Sequence, residues 1–61
     1  MIASSTRYEM SKFFRDENFT EDEIYVVLGN WDRFSEINML EATSEDLILE
    51  AELILDSAGF V

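Results

Sequence analysis

The chain contains no cysteine, no histidine and no proline, and only two glycines. Each absence closes off a class of protein. Without cysteine there is no disulfide framework, and without cysteine and histidine the usual zinc sites are gone. The commonest general base and the thiol nucleophile are missing for the same reason. Two isolated glycines cannot build a phosphate-binding loop, and no Gly-x-Ser-x-Gly elbow occurs. No segment has the alternating Asp/Asn ladder with a central glycine that a calcium loop needs. The chemistry expected is therefore none: no enzyme, no cofactor and no metal site. Long apolar runs are also absent. The longest, Ile24 to Leu28, is far short of the roughly 20 residues that span a bilayer. Met1-Ile2-Ala3-Ser4-Ser5 has no basic stretch leading into an apolar one, so a signal peptide is not expected and the default compartment is the cytoplasm.

Positive charge is scarce and unevenly placed. Lys and Arg number 4 against 14 Asp and Glu, for a formal charge of −10. Arg7, Lys12, Arg15 and Arg33 are all of the cations, so everything after Arg33 lacks a basic residue. That stretch carries Glu36, Glu41, Glu45, Asp46, Glu50, Glu52 and Asp56. Such a surface repels phosphates, which argues against direct nucleic-acid binding and against anionic membranes. It suits a partner protein with a basic surface.

What the chain does have is apolar content, 48% of residues, with five Phe, two Tyr and one Trp. That is too much for a disordered acidic tail. At 61 residues it forms one domain, and a chain of this size buries only about 60% of its unfolded surface. Helix packing, oligomerisation or a bound partner must supply the rest.

The periodicity predicts a small all-α three-helix bundle, a single domain with helices at about 5–16, 20–33 and 44–58. In the first, Met10, Phe13, Phe14 and Glu17 share a face, flanked by Tyr8 and Lys12, and Ser4, Ser5 and Thr6 offer caps. Arg15 to Asn18 reads as its polar end. The second has the clearest start. Thr20 and Glu23 form a capping box, and Phe19 and Ile24 are placed as a hydrophobic staple. Glu21, Asp22 and Glu23 complement the helix dipole. Ile24, Val27, Leu28 and Trp31 follow at one-face helical spacing, with Phe34 and Ile37 able to extend it.

Ile24-Tyr25-Val26-Val27-Leu28 is nevertheless rich in β-formers, and Gly29-Asn30 is a hairpin-turn pair. A hairpin pairing 23–28 with 31–37 is the alternative. Capping box, staple and period agree on helix, in which Gly29 lies mid-helix or ends it. The third helix starts after Thr43 or Ser44, and with Thr43 as cap Asp46 sits at the box position. Leu47, Ile48, Ala51, Ile54, Leu55 and Ala58 share its broad face, and Gly59 stops it, with Phe60 folding back. Between the second and third helices, Ile37, Met39 and Leu40 are expected to plug a core centred on Trp31, Leu28, Ile54 and Leu47. The cations are expected to pair locally with Asp16, Glu36 or the first turn of the second helix.

On a wheel of the third helix, Leu49 and Leu53 fall opposite the core face, among Glu45, Glu52 and Asp56. Either they are ordinary surface or all-round-buried leucines, or they form an apolar stripe in an acidic rim, as partner-binding surfaces do. Asp46 with Glu50, and Glu52 with Asp56, are like-charge i,i+4 pairs that each destabilise a helix by about 0.2–0.5 kcal/mol. They either keep the chain in solution or face Arg and Lys on a partner. The partner-binding candidates are therefore Glu45, Asp46, Leu49, Glu52, Leu53 and Asp56.

The expected role is an acidic interaction module that inhibits or modulates a protein by docking on its basic surface, often one that holds nucleic acid. The alternative is a homo-oligomeric adaptor, at minimum a homodimer, that buries Leu49 and Leu53 against a copy of itself. In size and charge alone, the chain resembles small acidic helical inhibitors of phages and mobile elements, antitoxins and assembly adaptors. That likeness transfers no residue role.

Overall fold

A computed structural model describes residues 4–60 and contains three helices, α1 (Ser4–Asp16), α2 (Glu21–Phe34) and α3 (Ser44–Ser57). The described residues form no strand. Met1 to Ala3, read above for a signal peptide, lie outside the described residues, as does Val61.

The first corner shows how the chain reverses without proline. After Asp16 the backbone reaches Asn18 at φ 71°, the left-handed region that asparagine tolerates better than most side chains. The Asn18 N–H donates to the Arg15 carbonyl and the Phe19 N–H to the Phe14 carbonyl, the hydrogen-bond pair of a Schellman stop. Phe19 then lies against Phe14, ring centroids 5.1 Å apart, supplying the apolar contact such stops use. One residue later Thr20 caps α2, which begins at Glu21. Thr20 Oγ1 accepts from the Glu23 N–H at 3.2 Å, and Glu23 Oε1 accepts from the Thr20 N–H at 2.8 Å. The capping box is complete, and Phe19, just before it, joins the cluster that contains Ile24.

Helix α2 runs unbroken through Gly29 and Asn30, so the hairpin alternative is excluded. Burial overrides the local β preference: Ile24, Val27, Leu28 and Trp31 all turn inward, while Tyr25 and Gly29 face solvent. Asn30, which a hairpin would place in a turn, instead donates its side-chain amide to the Val26 carbonyl at 2.8 Å. The helix ends where Ser35 becomes extended, its N–H still bound to the Trp31 carbonyl. Ile37 therefore belongs to the connection and does not extend α2.

Helix α2 is the central element; it packs on both α1 and α3, which touch each other far less. The core holds Phe14, Ile24, Val27 and Leu28 from one side. Trp31, Met39, Leu47, Ala51, Ile54 and Leu55 complete it. Trp31 is 3% exposed and its Nε1–H donates to the Ile37 carbonyl at 2.9 Å, which ties the α2–α3 connection to the core. Met39 plugs the core and Ile37 is half-buried, but Leu40 is 69% exposed, contrary to expectation. The reason is local. Asn38 Oδ1 accepts the Leu40 N–H and its carbonyl accepts the Glu41 N–H, and the resulting turn sends Met39 inward and Leu40 outward.

Helix α3 is capped by Thr43, whose Oγ1 accepts the Asp46 N–H at 3.2 Å. Only this forward half of a capping box forms. At the other end Gly59 sits at φ 75°, and the Gly59 and Phe60 N–H groups bond the Asp56 and Leu55 carbonyls. This is a second Schellman stop. Ala58, expected on the core face, is the exposed C-cap residue.

An acidic face and an acidic groove on helix three

Because α2 occupies the centre, α3 is a flank and exposes half its surface. Leu47, Ala51, Ile54 and Leu55 point into the core, and Ile48 is half-buried at its edge. The opposite side carries Leu49 and Leu53, 59% and 60% exposed, one helical turn apart. They are not buried all round. Glu45, Asp46, Glu52 and Asp56 are exposed as well, and Glu50 is half-buried. All six residues singled out from the sequence thus lie on the solvent side of one helix.

No carboxylate of α3 is neutralised by another described residue. Among the described residues none of them takes part in an ion pair. The bidentate pair of the molecule is elsewhere: Arg15 Nε and Nη2 donate to Glu21 Oε2 and Oε1 at 2.7 and 3.0 Å, joining α1 to the first turn of α2. That hydrogen bonding holds the Glu21 carboxyl below its usual range. Arg33 lies 6.0 Å from the Phe34 ring centroid, a cation–π contact. The pairing expected for the cations is thus realised by Arg15 with the first turn of α2. Trp31 is a core anchor and no part of a surface, whereas Tyr8 and Tyr25 are exposed.

The structure also places together residues that spacing could not. A groove of about 510 Å³ runs between the α1–α2 corner and α3. Its apolar lining is Phe19, Ile48 and Leu55, and its carboxylates are Glu17 and Glu23 on one wall and Glu52 and Asp56 on the other. Glu17, expected on the apolar face of α1, is exposed here beyond the helix end. Glu52 and Asp56 form a ridge between this groove and the Leu49–Leu53 stripe. The sequence showed one wall, the acids of α3. The other depends on where the Asn18 turn sets the corner against α3, which no periodicity reports. Among the described residues no three acidic side chains converge tightly enough to hold a metal ion.

The fold and this surface define a small all-α three-helix domain with an acidic outer face, and no helix of it is long and apolar enough to cross a membrane. No family model matches the chain, and neither does any curated protein or solved structure.

Proposed function

We propose that the chain is a non-catalytic protein-interaction module, acting in the cytoplasm, whose α3 outer face docks on a basic surface of a partner protein. Where that surface normally holds nucleic acid, docking inhibits by occupying its cationic sites. The observation that carries this reading is the exposed Leu49–Leu53 stripe set among Glu45, Asp46, Glu52 and Asp56, none of which is ion-paired among the described residues. Leucines supply apolar contact, and the carboxylates supply steering and register. Acids at i and i+4 advance about 6 Å along a helix, and successive phosphates of one DNA strand about 3.4 Å. A row of such acids can therefore fill some, though not all, of the cation sites that phosphates occupy.

The test is a pull-down from native lysate at low and high salt, comparing the wild-type chain with Glu45→Lys, Glu52→Lys, Asp56→Lys. A basic prey captured by the wild type at low salt, released by high salt and missed by the variant is expected. Prey that survives both the salt and the triple change sinks the reading.

A second reading has the same leucines in its favour: a homo-oligomeric assembly adaptor burying Leu49 and Leu53 against another copy. Its melting temperature would rise with protein concentration. An oligomer mass unaltered by Leu49→Glu with Leu53→Glu would count against it.

A further inference from the structure

The groove between the α1–α2 corner and α3 is a different surface from the Leu49–Leu53 stripe, and its chemistry is more specific. We infer that it receives a segment of a partner protein in which a bulky apolar side chain is flanked on both sides by Lys or Arg. The inference deepens the reading above, since it takes the acidic surface to meet a basic partner.

Three observations point to that occupant. The first is the floor: Phe19, Ile48 and Leu55 are apolar, and Phe19 and Ile48 remain half-exposed at its edges. A leucine-sized group seated there removes apolar surface on both sides. The second is the walls. Glu17 and Glu23 stand on one and Glu52 and Asp56 on the other, and every described ionisable residue that lines the groove is an acid. Arg15, the cation closest in sequence to the corner, is held by both oxygens of Glu21 and leaves these walls uncompensated. Glu23 gives Oε1 to the Thr20 N–H, and its other oxygen has no partner among the described residues. The third is contrast. The hollow along α1 between Ser4 and Arg15 holds Arg7 and Arg15 and, among the described residues, no acid. The one beside Phe34 and Phe60 holds Arg33 and no acidic side chain among the described residues. The one beside Ile37 mixes Asp32, Glu36 and Glu50 with Arg33. Of these four hollows, the groove between the α1–α2 corner and α3 alone combines an apolar floor with acids on both walls among its described residues.

Four carboxylates spread over two walls suit a ligand whose cations are spread likewise on either side of its anchor. Bringing cations between them removes like-charge repulsion that the empty groove sustains.

The experiment is an amide chemical-shift titration of the full chain. The probe is a capped peptide with a central leucine and a lysine pair on each side. The control is the same peptide with every lysine acetylated. Shifts focused on Phe19, Ile48, Glu52 and Leu55 with the lysine peptide, absent with the acetylated one, are expected. Glu17→Lys combined with Asp56→Lys, both at exposed positions, should weaken binding about tenfold or more, since two attractions become repulsions. Circular dichroism of that variant checks that the helices persist. Shifts focused on Leu49, Leu53 and Glu45 instead would overturn the groove and leave the docking role of the outer face standing. Shifts scattered over all acidic residues, or equal with the acetylated peptide, would overturn the inference as mere bulk charge. No shift with either peptide would overturn the groove and weigh against the basic-partner reading as well.

Discussion

Two of the described residues adopt left-handed backbone, and a third, Gly29, is a glycine with no local need to be one. Gly59 at φ 75° closes α3, and Asn18 at φ 71° closes α1. Gly29 lies on the solvent side of α2, and a methyl group there would meet nothing within 4 Å. A glycine in mid-helix costs roughly 0.5–1 kcal/mol relative to alanine. Gly29→Ala should therefore stabilise the domain by about that much, raising Tm by several degrees, since ~1 kcal/mol is worth about 4–8 °C in a domain this small. Gly59→Ala has equal space but the wrong backbone, and should cost about 1 kcal/mol. Thermal melts of the pair should move in opposite directions. A fall with Gly29→Ala would mean that α2 does not run through this position.

At the scale of the helix, the two threonine caps differ in a way a measurement can separate. Thr20 sits in a reciprocal capping box and Thr43 makes only the forward bond. Thr20→Ala should cost about 1–2 kcal/mol, and Thr43→Ala nearer 0.5–1 kcal/mol. Denaturant titrations that reverse this order would show that α3, and not α2, is limited by its N-terminus. Helix α3 also ends badly for its charge. Its last turn contains Asp56 and no basic residue, against the dipole and beside Glu52. Asp56→Lys should stabilise the isolated domain by about 0.5–1 kcal/mol while weakening its capture of a basic partner. A substitution that strengthens the fold and loses the partner is the pattern expected where a surface serves binding. If stability drops, Asp56 has a structural role not visible in its contacts.

The bond between α1 and α2 gives a pH dependence of known sign. The Arg15 guanidinium, through hydrogen bonds and charge, holds the Glu21 carboxyl below its usual range. Its folded value thus lies beneath the unfolded one, so the pair contributes stability above the ordinary carboxylate range and loses it as pH falls through the folded value. Both side chains are exposed, and the contribution is screened by solvent. In Glu21→Gln that increment is absent. The stability difference between wild type and variant should be constant near neutrality and shrink in acid; a difference that grows on acidification would reverse the assignment.

Over the whole molecule, a charge of −10 on a body 26 × 23 × 21 Å works against compaction. The Debye length shrinks from about 30 Å at 0.01 M salt to about 8 Å at 0.15 M. Across that range the repulsion between α3 and the acids of the α1–α2 corner is progressively screened. Tm should rise with salt over this interval, whereas binding of a basic partner should weaken. A domain that melts lower as salt increases would place its stability in attractive ion pairs such as Arg15–Glu21 and not in the relief of repulsion.

The local rules carried most of the architecture, because each acts within a turn or two of helix. The Thr20–Glu23 box, the one-face run from Ile24 to Trp31, the Thr43 cap and the Gly59 stop depend on residues no more than about seven apart, and all lie where the periodicity put them. The outward stripe of Leu49 and Leu53 was legible for the same reason, since a helix of known face has a known back. Assembly settled the rest. The β-rich run at Ile24 to Leu28 became helix because burial of its inward side chains outweighs its strand preference. Leu40 went outward on an Asn38 turn whose direction hydrophobicity does not encode. The centrality of α2 left α3 as a flank. The acidic groove joins Glu17 and Glu23 to Glu52 and Asp56 across a sequence gap that only packing closes.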